Sequence, residues 1–189
     1  MKSVCVYCGS SPGARPGYAA AAEQLARELA ARDITIIYGG SSKGIMGRLA
    51  DAALAAGGRV VGVLPRSLIA KEVGHDGLHE LHIVASMHER KAMMSELADG
   101  FIALPGGFGT LEEIIETITW AQLGFHTKPC GLLNVNGYFD ALLQFIGFAV
   151  EQQFIRPEHR DILQVADSAD ALLEKFAAYR APVTRKWRD

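Results

Sequence analysis

No stretch of this 189-residue chain approaches the ~18 consecutive apolar positions of a membrane-spanning helix. Charge of one sign is also scarce. With 19 Lys+Arg against 21 Asp+Glu the net charge is −2, which gives no global attraction to nucleic acid or to an acidic membrane. Cysteine is sparse and odd in number: Cys5, Cys8 and Cys130 argue against a disulfide framework and for a reducing compartment. Cys5 and Cys8 spell C-x-x-C, but the redox motif opens a helix, whereas Cys5 sits inside the strand-like Val4-Cys5-Val6-Tyr7. A buried strand cysteine is the expectation. The opening MKSVCVYCGS breaks into a Cys-Gly-Ser turn too early for a secretory signal, so a cytoplasmic location is expected.

Other signatures are missing too. No glycine cluster reads G-x-G-x-x-G, which removes the dinucleotide fingerprint. Gly39 to Gly44 has Walker A spacing, yet Ile45-Met46 stands where Lys-Ser/Thr would serve a triphosphate. His75, His79 and His82 fall close together, but in an irregular stretch without H-E-x-x-H or a cysteine pair, so no metal site is expected.

What is present is alternation. Apolar or β-branched runs at 3–7, 34–38, 59–64, 81–84, 101–104, 130–135 and 162–165 read as strands. Helical patterns fill 18–31, 45–56, 86–99, the stretch after 109, 139–152 and 170–179, while 65–80 is irregular. Alternating elements with continuously apolar strands predict an α/β fold: a Rossmann-like doubly wound parallel sheet covered by helices on both faces. One domain spans 1–180, and 181–189 is a polar tail. Ligands of such sheets sit beyond the carboxyl ends of the strands, where glycine-rich stretches fall at 9–13, 39–44 and 106–109.

The densest of these is ALPGGFGTLEEIIE, residues 103–116. Gly106, Gly107 and Gly109 precede a hydroxyl, Thr110, and two carboxylates, Glu112 and Glu113, in the expected first helical turn. A helix N-terminus with free N–H groups binds a phosphate well, so glycine loops gathered at one sheet edge predict a small phosphorylated ligand. Tight turning alone is the alternative. Glu113 carries two readings that spacing does not separate. Thr110-Leu111-Glu112-Glu113 fits a capping box with Glu113 at its third position, and a carboxylate there also suits catalysis. Glu112 reads as solvated near the positive helix end. Ser86-Met87-His88-Glu89 is a second capping box. On the helix that it opens, Arg90, Met93, Met94 and Leu97 share a face. Arg90 is then either a snorkelling arginine or a cation held at the strand edge for an anion or a carboxylate, with Lys91 as a second positive charge.

Pro105-Gly106-Gly107-Phe108-Gly109-Thr110-Leu111-Glu112-Glu113 fits the pattern P-G-G-x-G-T-x-x-E, and Ser86-Met87-His88-Glu89-Arg90-Lys91-Ala92 matches a second motif at the right distance. Together they resemble the Lonely Guy family, the cytokinin riboside 5′-monophosphate phosphoribohydrolases, over nearly the whole chain. Many members of that family carry the label "lysine decarboxylase", which a chain this short, with no lysine in a Schiff-base setting, does not support. The resemblance implies hydrolysis of the N-glycosidic bond of an adenine-type nucleoside 5′-monophosphate to free base and ribose 5-phosphate. It implies Arg90 and Glu113 as the catalytic pair. It places substrate binding on Gly106, Gly107, Phe108, Gly109, Thr110, Leu111 and Glu112, with Gly107 to Thr110 holding the phosphate through backbone N–H groups. Lys91, Glu72 and Thr119 would complete the nucleotide site. It also implies a homodimer with the nucleotide site near the shared interface, and neither metal nor organic cofactor. Consistent with a dimer, Ile114, Ile115, Ile118 and Trp120 give the Glu113 helix apolar surface on more than one side. A general AMP or purine nucleotide nucleosidase, and a nucleotide-binding module without turnover, are the competing readings.

Overall fold

A computed structural model of the chain describes residues 1–69 and 74–182. Among them, seven strands form a single parallel sheet: β1 (Ser3–Tyr7), β2 (Thr35–Tyr38), β3 (Val60–Pro65), β4 (Glu80–Val84), β5 (Phe101–Ala103), β6 (Cys130–Leu133) and β7 (Leu163–Ala166). The spatial order is β4-β3-β2-β1-β5-β6-β7, and every neighbouring pair is parallel. The chain therefore winds outward from β1 to the β4 edge, returns to the middle at β5 and winds out again to β7. The order reverses between β1 and β5, and the carboxyl ends of those two strands flank the crevice where such sheets take ligands.

The helices are α1 (Pro16–Ala31), α2 (Gly44–Ala55), α3 (Met87–Leu97), α4 (Phe108–Gln122), α5 (Asp140–Glu151), α6 (Pro157–Arg160) and α7 (Ala169–Ala178). Strand side chains alternate between two cores, as a pleat of period two requires. Val4, Val6, Ile36, Tyr38 and Ile102 join α1, α2 and α7 on one face, while Cys5, Tyr7, Ile37, Phe101 and Ala103 join α3, α4 and α5 on the other. Helix α1 shows why the pattern works locally. Pro16 starts it, and Ala22, Leu25, Ala26 and Leu29 are its buried stripe.

The expected strands and all the long helices are present, with ends shifted by a residue or two. The short α6 was not expected. The irregular stretch after β3 contains a 3-10 turn at Arg66–Leu68. Residues 183–189, most of the expected tail, lie outside the described residues.

Candidate active site

Helix α4 begins earlier than its sequence suggests. Gly107 is the N-cap in extended backbone (φ −90°, ψ −155°), no side chain caps it, and the first turn holds no acid. Thr110 is thus the third residue of the helix and Glu113 lies in the second turn. The capping-box reading of Thr110 and Glu113 is corrected: a carboxylate there is too far along the helix to cap it. The first backbone bond of the helix runs from the Leu111 N–H to the Gly107 carbonyl at 3.1 Å. This leaves the N–H groups of Phe108, Gly109 and Thr110 at the positive end of the helix dipole.

The glycines of this turn differ in purpose. A Cβ at Gly106 would lie 2.1 Å from Thr110 Oγ1 and 2.9 Å from the Gly9 nitrogen, so close packing demands glycine there. A Cβ at Gly107 or Gly109 would meet nothing within 4 Å, and neither residue has positive φ. Nothing among the described residues requires glycine at either place, and the missing side chains leave the backbone open to close approach.

Helix α2 also follows a glycine-rich turn, but its N-terminus is already filled. The N–H groups of Ile45 and Met46 donate to the Gly9 carbonyl at 3.1 and 3.3 Å. The expectation that glycine loops at this edge cradle phosphate therefore narrows to the α4 turn.

Arg90, in the first turns of α3, is only 6% exposed. Its Nε donates to the Val63 carbonyl and its Nη2 to the Gly39 carbonyl, each at 3.0 Å. The snorkelling reading is set aside, because the guanidinium is turned inward onto the ends of β2 and β3. A buried cation requires such partners. Gly39 makes the docking possible, since a Cβ there would stand 2.0 Å from Nη2. The capping box at Ser86 is real: Ser86 Oγ accepts the Glu89 N–H at 3.1 Å, while the Glu89 carboxylate accepts from Ala85, one residue earlier than expected.

Arg90 and Glu113 line one cleft of about 350 Å³, with Tyr7 to Ser10 from the end of β1 and Gly107 to Thr110 from α4. Met46, Leu68, Met87 and Met94 give it an apolar wall. It sits where the strand order reverses. Burial pushes the Cys8 thiol well up, with the charge of Glu113 adding to the rise and that of Arg90 opposing it. The two charges thus both reach the end of β1. Cys5 and Cys8 are free and buried, and burial raises both thiols, the opposite of a reactive thiolate.

Two expectations about nearby charges are corrected. Glu112 is not merely solvated, because it pairs with the Lys91 ammonium, which also lies 2.9 Å from Glu116. Lys91 is consequently no bare second cation. Burial alone would lower its pKa, but the hydrogen bonds it donates to Glu112 and Glu116 and the charges of those carboxylates raise it overall. Phe108 stands at the cleft, 93% exposed, and Leu111 packs against the core instead. Thr119 is not among the cleft-lining residues, and its hydroxyl donates to the Ile115 carbonyl at 2.8 Å. Glu72 lies outside the described residues. His75 contacts Asp51, His79 accepts the Val60 N–H and His82 contacts Glu80, so each has a separate local role.

Sequence reasoning missed the anchors: the carbonyls of Val63 and Gly39 under Arg90, the Gly9 carbonyl at α2, and the Tyr138 hydroxyl, which donates to the Gly106 carbonyl at 2.6 Å. The turn after β6 was the one signal for Tyr138, since it leaves the sheet at the same edge as the glycine loops.

A protein-family profile described as "Possible lysine decarboxylase" matches residues 46–176. A probable cytokinin riboside 5′-monophosphate phosphoribohydrolase of Oryza sativa subsp. japonica is 51% identical over 179 residues, 95% of this chain and 79% of the relative. A cytokinin riboside 5′-monophosphate phosphoribohydrolase of Arabidopsis thaliana is 52% identical over 180 residues, 95% of this chain and 79% of the relative. Among solved structures, the molybdenum cofactor binding protein of Rippkaea orientalis shares the fold, with TM-score 0.71 at 22% identity over 94% of this chain and 97% of that one.

Proposed function

The chain belongs to the cytokinin riboside 5′-monophosphate phosphoribohydrolase family, and from that premise we infer how its cleft works. It is an N-glycosyl hydrolase that cleaves the N-glycosidic bond of N6-modified adenosine 5′-monophosphates, releasing the free base and ribose 5-phosphate. Water supplies the atoms: its hydroxyl ends on C1′ and its proton on the departing base.

The 5′-phosphate sits on the start of α4, where the backbone N–H groups of Gly107 to Thr110 and the helix dipole receive it. The observation that carries this placement is the pair of glycines, 107 and 109, that face open space without any internal need to be glycine. Glu113 follows Gly109 by one helical turn on the same face. Its carboxylate stabilises the cationic C1′ that develops as the base leaves, or orients the attacking water. Arg90, locked beneath the cleft, supplies fixed positive charge to the phosphate or to the departing base. Glu112, Lys91 and Glu116 form a charged cluster beside it, with Lys91, Glu112, Gly106, Phe108 and Glu72 contributing to the nucleotide site, whereas Leu111 and Thr119, which lie away from the cleft, leave the expected set. A lysine whose ammonium is stabilised, as that of Lys91 is, is poorly suited to Schiff-base chemistry, which needs the free amine.

The test is incubation with AMP and with isopentenyl-AMP, followed by assay of free base. Release from the modified nucleotide supports the reading. Equal release from both marks a general purine nucleotide nucleosidase, and release from neither marks a binding module.

The active form we propose is a homodimer. Ile114 is buried in the core and Ile118 packs on it, so they leave the expected contact surface, but Ile115 is 42% exposed, and Phe108 at the start of α4 and Phe125 just past its end are exposed as well. A monomer by sedimentation at micromolar concentration would refute this. No helix among the described residues is long and apolar enough to cross a membrane, and we place the enzyme in the cytoplasm as a single nucleotide-binding domain over 1–180 followed by a short tail.

A further inference from the structure

We propose that Tyr138 is a positioning residue that sets the phosphate turn by holding the Gly106 carbonyl. This rests on the reading that Gly107 to Thr110 take the 5′-phosphate. Tyr138 follows a sharp bend after β6, formed by Asn136 (φ 52°) and Gly137 (φ 71°). The bend aims the ring at the glycine turn, and the hydroxyl donates to the Gly106 carbonyl at 2.6 Å.

A trans peptide carries its C=O and N–H on opposite sides, and no peptide among the described residues is cis. Holding the Gly106 oxygen on the Tyr138 side therefore turns the Gly107 N–H away from Tyr138, and of the two cavities that Gly107 borders, the cleft is the one that Tyr138 does not line. Gly106 and Gly107 have no side chains of their own to fix this peptide plane, and glycine is the residue most able to rotate it.

The neighbours of the turn fit this role. The preceding peptide is fixed separately, by the Gly9 N–H on the Pro105 carbonyl at 3.3 Å. The Tyr138 ring is braced edge-on against Tyr18 and Phe139, with centroids 5.5 and 5.0 Å away. A second cavity of about 310 Å³ borders the turn, lined by Tyr18, Ile45, Pro105, Gly106, Gly107 and Tyr138. It gives the turn room to relax when the hydroxyl is lost.

The experiment compares wild type, Tyr138→Phe and Tyr18→Phe by kcat/KM for AMP and by inhibition constants for ribose 5-phosphate and for adenosine. Circular dichroism establishes that each variant folds. Tyr138→Phe keeps the braced ring and removes only the hydroxyl. Loss of one hydrogen bond predicts a fall of up to about tenfold in kcat/KM for AMP. Ribose 5-phosphate should weaken by a similar factor, while adenosine binding stays near wild type. Tyr18→Phe removes the other hydroxyl and should change none of the three. Equal weakening of adenosine and ribose 5-phosphate would mean a general structural role, and no change would mean that the bond orients nothing. Either result overturns the proposal. A wild-type enzyme that binds adenosine as well as AMP would instead overturn the phosphate reading beneath it.

Discussion

Helices α2 and α4 both start from glycine-rich turns at the same edge of the sheet, yet the start of α2 is taken up by the protein's own backbone, whereas the start of α4 is the one we propose for the phosphate. At α2, the Gly9 carbonyl takes the N–H groups of Ile45 and Met46, and the glycines answer to the protein itself. Gly40 and Gly44 have φ of +78° and +60°, and a Cβ at Gly44 would lie 2.3 Å from the Ser10 carbonyl. At α4, a Cβ at Gly107 or Gly109 would meet nothing among the described residues within 4 Å. A glycine with a neighbour at its missing Cβ is there for folding. One facing open space at a helix start leaves the backbone open to close approach, the role we propose for α4.

The strongest way to sharpen this contrast is to remove the acid above the open helix start. Glu113→Gln should cut kcat by ~10²-fold or more, the scale of one lost transition-state stabiliser. The substitution keeps the size of the side chain and removes its charge, so thermal unfolding reads any structural cost separately from turnover. Arg90→Ala should be comparably impaired. Steady-state kinetics with a melting curve on the same preparation decides this, and normal turnover in Glu113→Gln would end the mechanism proposed for it.

Paired alanine substitutions test the contrast directly. Gly109→Ala should lower kcat/KM for AMP about tenfold, corresponding to ~1.4 kcal/mol of lost contact, while leaving denaturant stability unchanged or slightly higher. Gly44→Ala should behave oppositely, losing ~1–3 kcal/mol through its positive φ and the crowding against Ser10. If the two exchanged these behaviours, the distinction between the two helix starts would collapse.

The smallest effect belongs to the charged cluster on the flank of α4. Glu112→Gln should cost less than about 1 kcal/mol, because the pair is partly exposed and Glu116 remains on Lys91. The pKa of Lys91 is raised in the folded protein, so its contribution to stability is complete below the ordinary lysine value of 10.5 and fades as pH rises through the folded value. Unfolding of wild type and Glu112→Gln should therefore converge only at strongly alkaline pH.

The sheet, its winding and the crevice were legible because alternation and strand composition are local properties. So was the Ser86 cap. The start of α4 was misread for an understandable reason. Thr110 and Glu113 fit a capping pattern, and glycine at 109 argues against helix, but extended backbone at Gly107 lets the helix begin beneath them. The contacts that make the site were not legible. The carbonyls holding Arg90 are 27 and 51 residues away in sequence, and the one filling α2 belongs to the turn after β1. No spacing rule along the chain reaches them.

The docking of Arg90 has a consequence for timing. A free arginine side chain carries about 2 kcal/mol of rotamer entropy, and a surface arginine that gathers an anion gives it up at the moment of binding. Here the Val63 and Gly39 carbonyls immobilise the side chain when the protein folds. The guanidinium is therefore held in one direction before any nucleotide arrives. Encounter requires no reordering of this residue.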